Sequence, residues 1–129
     1  MKQLLTPILA AAVTAMVMIM PMGANAAMKG GFTGANEHVT TGGVQVVRTA
    51  DGGAVVILDS DFSLDGAPDP HVGFGRDGEF DVASDLGKLM ADTGLQIFVV
   101  PASVNVEDYN EVYIWCLEFS VALGVASLN

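Results

Sequence analysis

Three side chains in this sequence have the chemistry for redox reactions or for ligating a prosthetic group: Cys116, His71 and His38. Cys116 is the only cysteine of the 129 residues, so no disulfide can form within one chain. A lone thiol is a buried inert group, a link between two chains, a redox group or a cofactor ligand. If Cys116 ligates a group such as haem, His71 is the better-placed second ligand, because it follows a stiff loop that ends at Pro70. The alternative for His71 is a structural histidine bonded to a neighbouring carbonyl.

The sequence holds no complete set of residues for other metal or hydrolytic chemistry. Blue copper needs a thiolate, two imidazoles and usually a methionine, but neither histidine nor methionine follows Cys116. The acidic stretch Asp59–Asp69 fits only the first two ligand positions of an EF-hand loop, so a solvated loop is the better interpretation. There is no local nucleophile–base motif and no phosphate-binding glycine loop. The residues thus indicate no hydrolase or transferase, and at most a redox activity.

The N-terminal stretch has the pattern of a secretory signal peptide. Lys2 supplies a positive charge, and a mainly apolar run, Leu4–Met22, is followed by small residues before Ala27. This pattern predicts that residues 1–26 are a cleaved signal and that residues 27–129 form a single domain. An uncleaved membrane anchor is the alternative, since the run approaches spanning length. We therefore expect a periplasmic or secreted protein, with no stable membrane insertion after cleavage.

The charge of the predicted mature domain excludes some partners. Residues 27–129 contain 15 acidic and 4 basic residues, a formal charge of −11. Such a negative potential repels phosphate backbones and anionic lipid headgroups. We therefore expect no nucleic-acid binding and no attachment to a membrane surface.

Short β-branched and aromatic runs, punctuated by Gly, Asp and Pro, predict strands rather than helices. The clearest hairpin joins 44–49 to 54–59 through an Asp-Gly turn, and 95–100 is a further strand that ends before a proline. Residues 71–75 predict a short strand, and 85–90 fit either a strand or one helical turn. The fold class that follows is all-β, a small antiparallel β-sandwich or barrel-like domain after the signal peptide.

The last third of the chain alternates between two sets of side chains. One set comprises Tyr113, Trp115, Leu117, Phe119, Val121 and Leu123, and the other comprises Val112, Ile114, Cys116, Glu118 and Ser120. Because strand side chains repeat every two residues, the first set predicts the core face. Cys116 then lies where the second face changes from apolar to solvent-exposed polar residues. We therefore expect a half-exposed thiol that reagents in solution can reach.

Several blocks of sequence, in order along residues 27–129, together resemble one known domain. They are Gly31-Phe32, Ser60–Phe62, Gly66–Val72, Asp85–Leu89, Gly94–Phe98, Val100-Pro101, Val112–Cys116 and Phe119–Leu128. The chain is similar to the DM-thirteen family of electron-transfer domains, which in larger proteins accompany DOMON domains. The Ile-Trp-Cys block that ends at Cys116 is the most specific part of this resemblance.

The resemblance implies a β-rich redox domain whose family cysteine corresponds to Cys116. That cysteine acts either as a naked thiol or as a ligand to a prosthetic group such as haem, so the cofactor is haem or none. Electron transfer would then need a separate redox protein as partner. The oligomeric state is undecided between a monomer and a dimer linked through Cys116. The alternative function is a non-enzymatic, extracytoplasmic binding or adhesion β-sandwich, with Cys116 as a structural core residue.

Overall fold

The computed structural model describes residues 27–129, and the predicted signal peptide lies outside the described residues. This part of the chain contains eleven β-strands, two short 3₁₀ turns and no α-helix. The strands are β1 (Met28–Gly34), β2 (Thr40–Thr41), β3 (Gly43–Arg48), β4 (Ala54–Leu58), β5 (Ser63–Leu64), β6 (Pro70–Arg76), β7 (Glu79–Phe80), β8 (Gly87–Lys88), β9 (Gln96–Val100), β10 (Glu111–Cys116) and β11 (Val121–Ser127). The 3₁₀ turns are Val82–Ser84 and Val106–Asp108.

Nine of the strands form one antiparallel sheet that curls into a half-barrel. The order across the sheet is β7-β6-β10-β11-β1-β3-β4-β9, with β8 also paired to β6. Strands β2 and β5 form a separate two-stranded ladder. The predicted all-β, antiparallel and barrel-like class is therefore confirmed.

Strand β1 joins the two halves of the curled sheet. Its first part, Met28–Gly31, pairs with β3, and its second part, Phe32–Gly34, pairs with β11. One strand is thus shared by the two halves of the sheet, with β11 on one side and β3 on the other.

The predicted hairpin and the predicted strand 95–100 are present. Strands β3 and β4 pair from Val44↔Leu58 to Arg48↔Ala54, and β9 ends directly before Pro101. The segment 85–90, which the sequence left undecided, contains the two-residue strand β8 beside β6.

The core is filled mainly by side chains from one face of the sheet, and Phe62 joins them from the loop before β5. Its largest fully buried members are Phe62, Phe74, Leu58, Ile114 and Leu123. The alternation in β4 and β9 is regular, with every second residue buried. Burial of such side chains stabilises the fold by about 1.5–3 kcal/mol each before the entropy of ordering is subtracted.

The predicted assignment of faces was wrong for β10 and the turn after it, although Leu123 of β11 lies in the core as predicted. Val112, Ile114 and Cys116 lie in the core, whereas Trp115 is partly exposed on the outer face and Phe119 is 61% exposed. One reason is that residues 117–120 form a turn, which ends the alternation that the sequence suggested. A register shift between Ile114 and Trp115, in the pairing of β10 with β11, also interrupts the pattern.

A second reason is that both faces of β10 are covered. On its outer face the rings of Phe80 and Tyr113 lie over the neighbouring strand β6 at Gly73 and Gly75. A Cβ at Gly73 would come within 2.7 Å of the Phe80 ring, and one at Gly75 would collide with the Tyr113 ring. The missing side chains of β6 therefore make room for aromatic rings, and Tyr113 is buried although it faces away from the core.

The corrected face assignment gives a direct stability prediction. Ile114→Ala removes a side chain with no exposed surface and should lower the free energy of unfolding by about 2–5 kcal/mol. Val82→Ala, at a residue that is 64% exposed, should change it by less than about 0.5 kcal/mol. Denaturant titration of both variants measures the difference, and equal losses would contradict the placement of Ile114 in the core.

Candidate functional site

Cys116 is the last residue of β10 and lies between Pro70 of β6 and Val121 of β11. Only 1% of its surface is exposed, and it belongs to the main apolar core. The expectation of a half-exposed thiol was therefore wrong, because β10 turns this side chain inward. Residues 118–120 of the adjoining turn are exposed, so the buried thiol is only two residues in sequence from the protein surface. A disulfide between two copies would require Cys116 to leave the core.

His71 occupies the other face of the same sheet. It pairs in register with Trp115, and cross-strand partners point to the same side. Its Nε2 lies 3.0 Å from Asp69 Oδ1, and its Nδ1 lies 3.0 Å from Asp85 Oδ1. Lys88 Nζ approaches Asp69 at 3.8 Å. His71 is thus held between two carboxylates rather than by a backbone carbonyl.

The structure does not bring the three chemically capable residues together. His71 and Cys116 lie on opposite faces of the sheet, because Trp115 and Cys116 are consecutive strand residues. His38 is bonded to Asp65, with Nδ1 2.9 Å from Oδ1. The predicted pairing of Cys116 with a histidine as two ligands of one group therefore has no shared site in this arrangement.

No group of three or more His, Cys, Asp or Glu residues within 27–129 is arranged to hold a metal ion. The carboxylates of the acidic stretch instead accept hydrogen bonds from backbone amides and nearby side chains. Asp59 accepts a hydrogen bond from Gln45 at 2.9 Å, and Asp61 accepts one from the Gly43 amide at 2.9 Å. Asp65 accepts from the Val39 amide in the same way. These hydrogen bonds tie the acidic stretch to β3 and to the residue before β2.

The surroundings of Cys116 do not fit a porphyrin. The thiol is enclosed by packed core side chains, and insertion of a haem would need many of them to move. Two surface clefts are present, of about 130 Å³ beside Arg48 and about 350 Å³ beside Phe80. Neither is lined by Cys116.

An aromatic cluster that the sequence did not predict covers the outer face of β10. The rings of Phe80 and Trp115 are stacked, with centroids 4.4 Å apart and planes 16° from parallel. Tyr113 packs against both, at centroid distances of 5.6 Å and 6.3 Å. The signal for this cluster was the spacing of Gly73 and Gly75 in β6, which leaves the outer face of that strand without side chains beyond His71.

The side chains of two tyrosines have raised pKa values. Tyr109 donates a 2.6 Å hydrogen bond to Asp81 and stacks on Phe74. That hydrogen bond, together with burial and nearby negative charge, raises the pKa of Tyr109 to about 12. The same hydrogen bond lowers the pKa of Asp81. Burial is the main cause that raises the pKa of Tyr113 to about 12, and the Glu111 carboxylate adds to it.

A family model described as electron transfer DM13 matches residues 32–128. The chain belongs to this family. The match confirms the resemblance to the DM-thirteen domains and supports an electron-transfer role. No curated protein and no solved structure gives a significant match to the chain. No helix in residues 27–129 of this DM13 domain is long and apolar enough to cross a membrane.

The burial of Cys116 predicts slow chemical modification. A thiol reagent should react with the folded domain at least about a thousandfold more slowly than with the denatured chain, because the thiol is reached only when the core opens. Stopped-flow absorbance with an aromatic disulfide reagent, with and without denaturant, gives the two rates. Comparable rates would place Cys116 at the surface.

The tyrosine environments predict an unusual alkaline titration. Tyr109 and Tyr113 are the two tyrosines of the chain, so phenolate absorbance should rise near pH 12 rather than near the ordinary value of about 10. The folded state retains protons that the unfolded state has lost in this range. Stability should therefore be unaffected below about pH 10 and fall as the pH rises from about 10 to about 12.

The control is Tyr109→Phe, which leaves Tyr113 as the single phenol. Its phenolate signal should be half as large and remain near pH 12. A rise of phenolate absorbance near pH 10 in the folded state of either protein would contradict the assigned environments.

Proposed function

We propose that this chain is an exported electron-transfer accessory domain in which the Cys116 thiol is the redox group. The observation that carries the proposal is the family match over residues 32–128. The predicted signal at residues 1–26 supports export to the periplasm or the medium. Cys116 is the position that corresponds to the family cysteine in the Ile-Trp-Cys block.

The naked-thiol form suits this site better than the haem-ligand form. Cys116 is enclosed by core side chains. His71 lies on the opposite face of the sheet, and His38 is bonded to Asp65. With a single cysteine, a reversible disulfide within the chain is impossible. The thiol would therefore lose one electron to a separate electron-accepting protein and its proton to solvent, and reduction would reverse both transfers.

The outer aromatic cluster supports a route between the thiol and the surface. Trp115 is the residue next to Cys116, and its indole is partly exposed and stacked on Phe80. An electron would pass between Cys116 and a docked protein through these rings rather than by direct contact with the buried sulfur. The formal charge of −11 on residues 27–129 favours a basic electron donor or acceptor.

The second candidate function is a binding module with a structural cysteine. The specific observation in its favour is the 1% exposure of Cys116, since buried cysteines usually behave as small apolar residues. In that case the redox state of the thiol would have no consequence for the activity of the domain.

Protein-film voltammetry on the exported protein, purified without reductant, tests the proposal. The wild type should give a reversible one-electron wave that Cys116→Ala abolishes. Ile114→Val is the matched control, because it also alters a buried residue of β10 and costs about 0.5–1.5 kcal/mol of stability. The wave should survive in this control.

Three results would contradict the proposal. If the wild type gives no wave, or if the wave persists in Cys116→Ala, the thiol is not the redox group. A haem absorption band that disappears in Cys116→Ala would instead establish the ligand form.

A further inference from the structure

Strand β9 forms one end of the curled sheet and is an unprotected edge. It pairs with β4 through all five of its residues, and no other strand of the described chain pairs with it. Its sequence, Gln96–Val100, contains no charged residue and no proline. Natural sheets usually protect edges with charges, prolines or very short strands. The other end of the sheet follows that rule, since β7 has only two residues and one of them is Glu79.

The outer face beside this edge is largely apolar. Its aliphatic side chains come from three adjacent strands and are Val47, Val55, Ile57, Ile97 and Val99. The same face also carries Gln45, which pairs with Ile57, and Asp59, which accepts a hydrogen bond from Gln45. Exposure rises toward the edge: Val55 and Ile57 are partly buried, whereas Ile97 is 52% and Val99 is 74% exposed. The residues of β4 are covered from both sides by neighbouring strands. What leaves Ile97 and Val99 exposed is the lack of a strand beside β9.

The edge strand β9 is also uncharged on an otherwise acidic domain. Residues 27–129 contain 15 acidic and 4 basic residues, yet the five outer side chains named above are all aliphatic. A second, equally acidic copy of the chain meets least repulsion here. A basic partner finds no carboxylate on β9 itself to recognise.

We propose that β9 pairs with β9 of a second copy of this chain, antiparallel about a two-fold axis through Phe98. This register places Ile97 opposite the partner's Val99, and Val99 opposite the partner's Ile97, on the same outer face. Cross-strand pairs of β-branched residues stabilise sheets. The added strand covers the side of β9 that is now open and continues the sheet from one copy into the other.

The symmetry limits the assembly to two copies. An isologous contact uses the same edge of both chains and leaves no second β9 for further growth. The opposite edge, at β7, is too short and too charged to substitute. A contact of one five-residue strand and its flanking side chains falls below the roughly 1,200 Å² of stable complexes, so the dimer should be weak, with a dissociation constant on the order of micromolar.

Sedimentation velocity of the exported protein, over a concentration range from about 1 to about 100 µM, tests this dimer. The wild type should shift from monomer to dimer, with no larger species. Val99→Lys should raise the dissociation constant by at least about tenfold, because it places a charge beside the partner's Ile97. Val82→Lys is the matched control, since Val82 is also exposed, at 64%, and lies in a 3₁₀ turn away from β9. It should dimerise like the wild type.

The two variants carry the same change of charge, so a difference between them reports position rather than electrostatics. Far-ultraviolet circular dichroism and a thermal melt confirm that both are folded. Added salt should strengthen the dimer, because screening reduces the repulsion between two acidic copies. A basic partner would instead be released by salt.

Three outcomes would overturn the proposal. A wild type that stays monomeric throughout would leave β9 available to a different protein. Dimerisation that survives in Val99→Lys, or is lost equally in Val82→Lys, would place the contact elsewhere. Cys116 takes no part in this test, so its result is independent of the proposed electron-transfer function.

Discussion

Strand β1 is the element on which the rest of the structure depends. It is hydrogen-bonded to β3 through one half and to β11 through the other, and it is the direct link between the two parts of the sheet. Its residue Lys29 also exchanges two backbone hydrogen bonds with Asn129, of 3.1 and 2.9 Å. If β1 separated from either neighbour, the half-barrel would open along that line. The core would then be exposed to water, including the thiol of Cys116.

The two faces of β10 have different roles around one strand. The inner face buries Ile114 and Cys116 in the core, and the outer face carries Tyr113 and Trp115 beneath Phe80. The Cys116 sulfur thus lies behind a layer of aromatic rings instead of in an open cleft. This arrangement is compatible with electron exchange over a distance and unfavourable to reactions that need a substrate bound at the sulfur.

The sequence was sufficient for the fold class and for the elements with strong local signals. The Asp51-Gly52 turn specified the β3–β4 hairpin, and Pro101 ended β9. The faces of β10 were not predictable in the same way, because a central strand covered on both sides has no polar alternation to read. The turn at 117–120 could not be predicted from the sequence either, since Leu117 and Phe119 continue the apolar alternation of the strand. The environment of His71 was inaccessible for a related reason: its partner Asp85 reaches it only through the pairing of β6 with β8.

The pairing of β1 with β11 has a consequence for the order of folding. Phe32 lies beside Ala126 in the sheet, so the earliest strand cannot complete its hydrogen bonds until nearly all the following strands have been synthesised. Folding dominated by such distant contacts is slow compared with that of helical domains. The export proposed above would benefit from this delay, because the final closure would then take place after translocation rather than during synthesis.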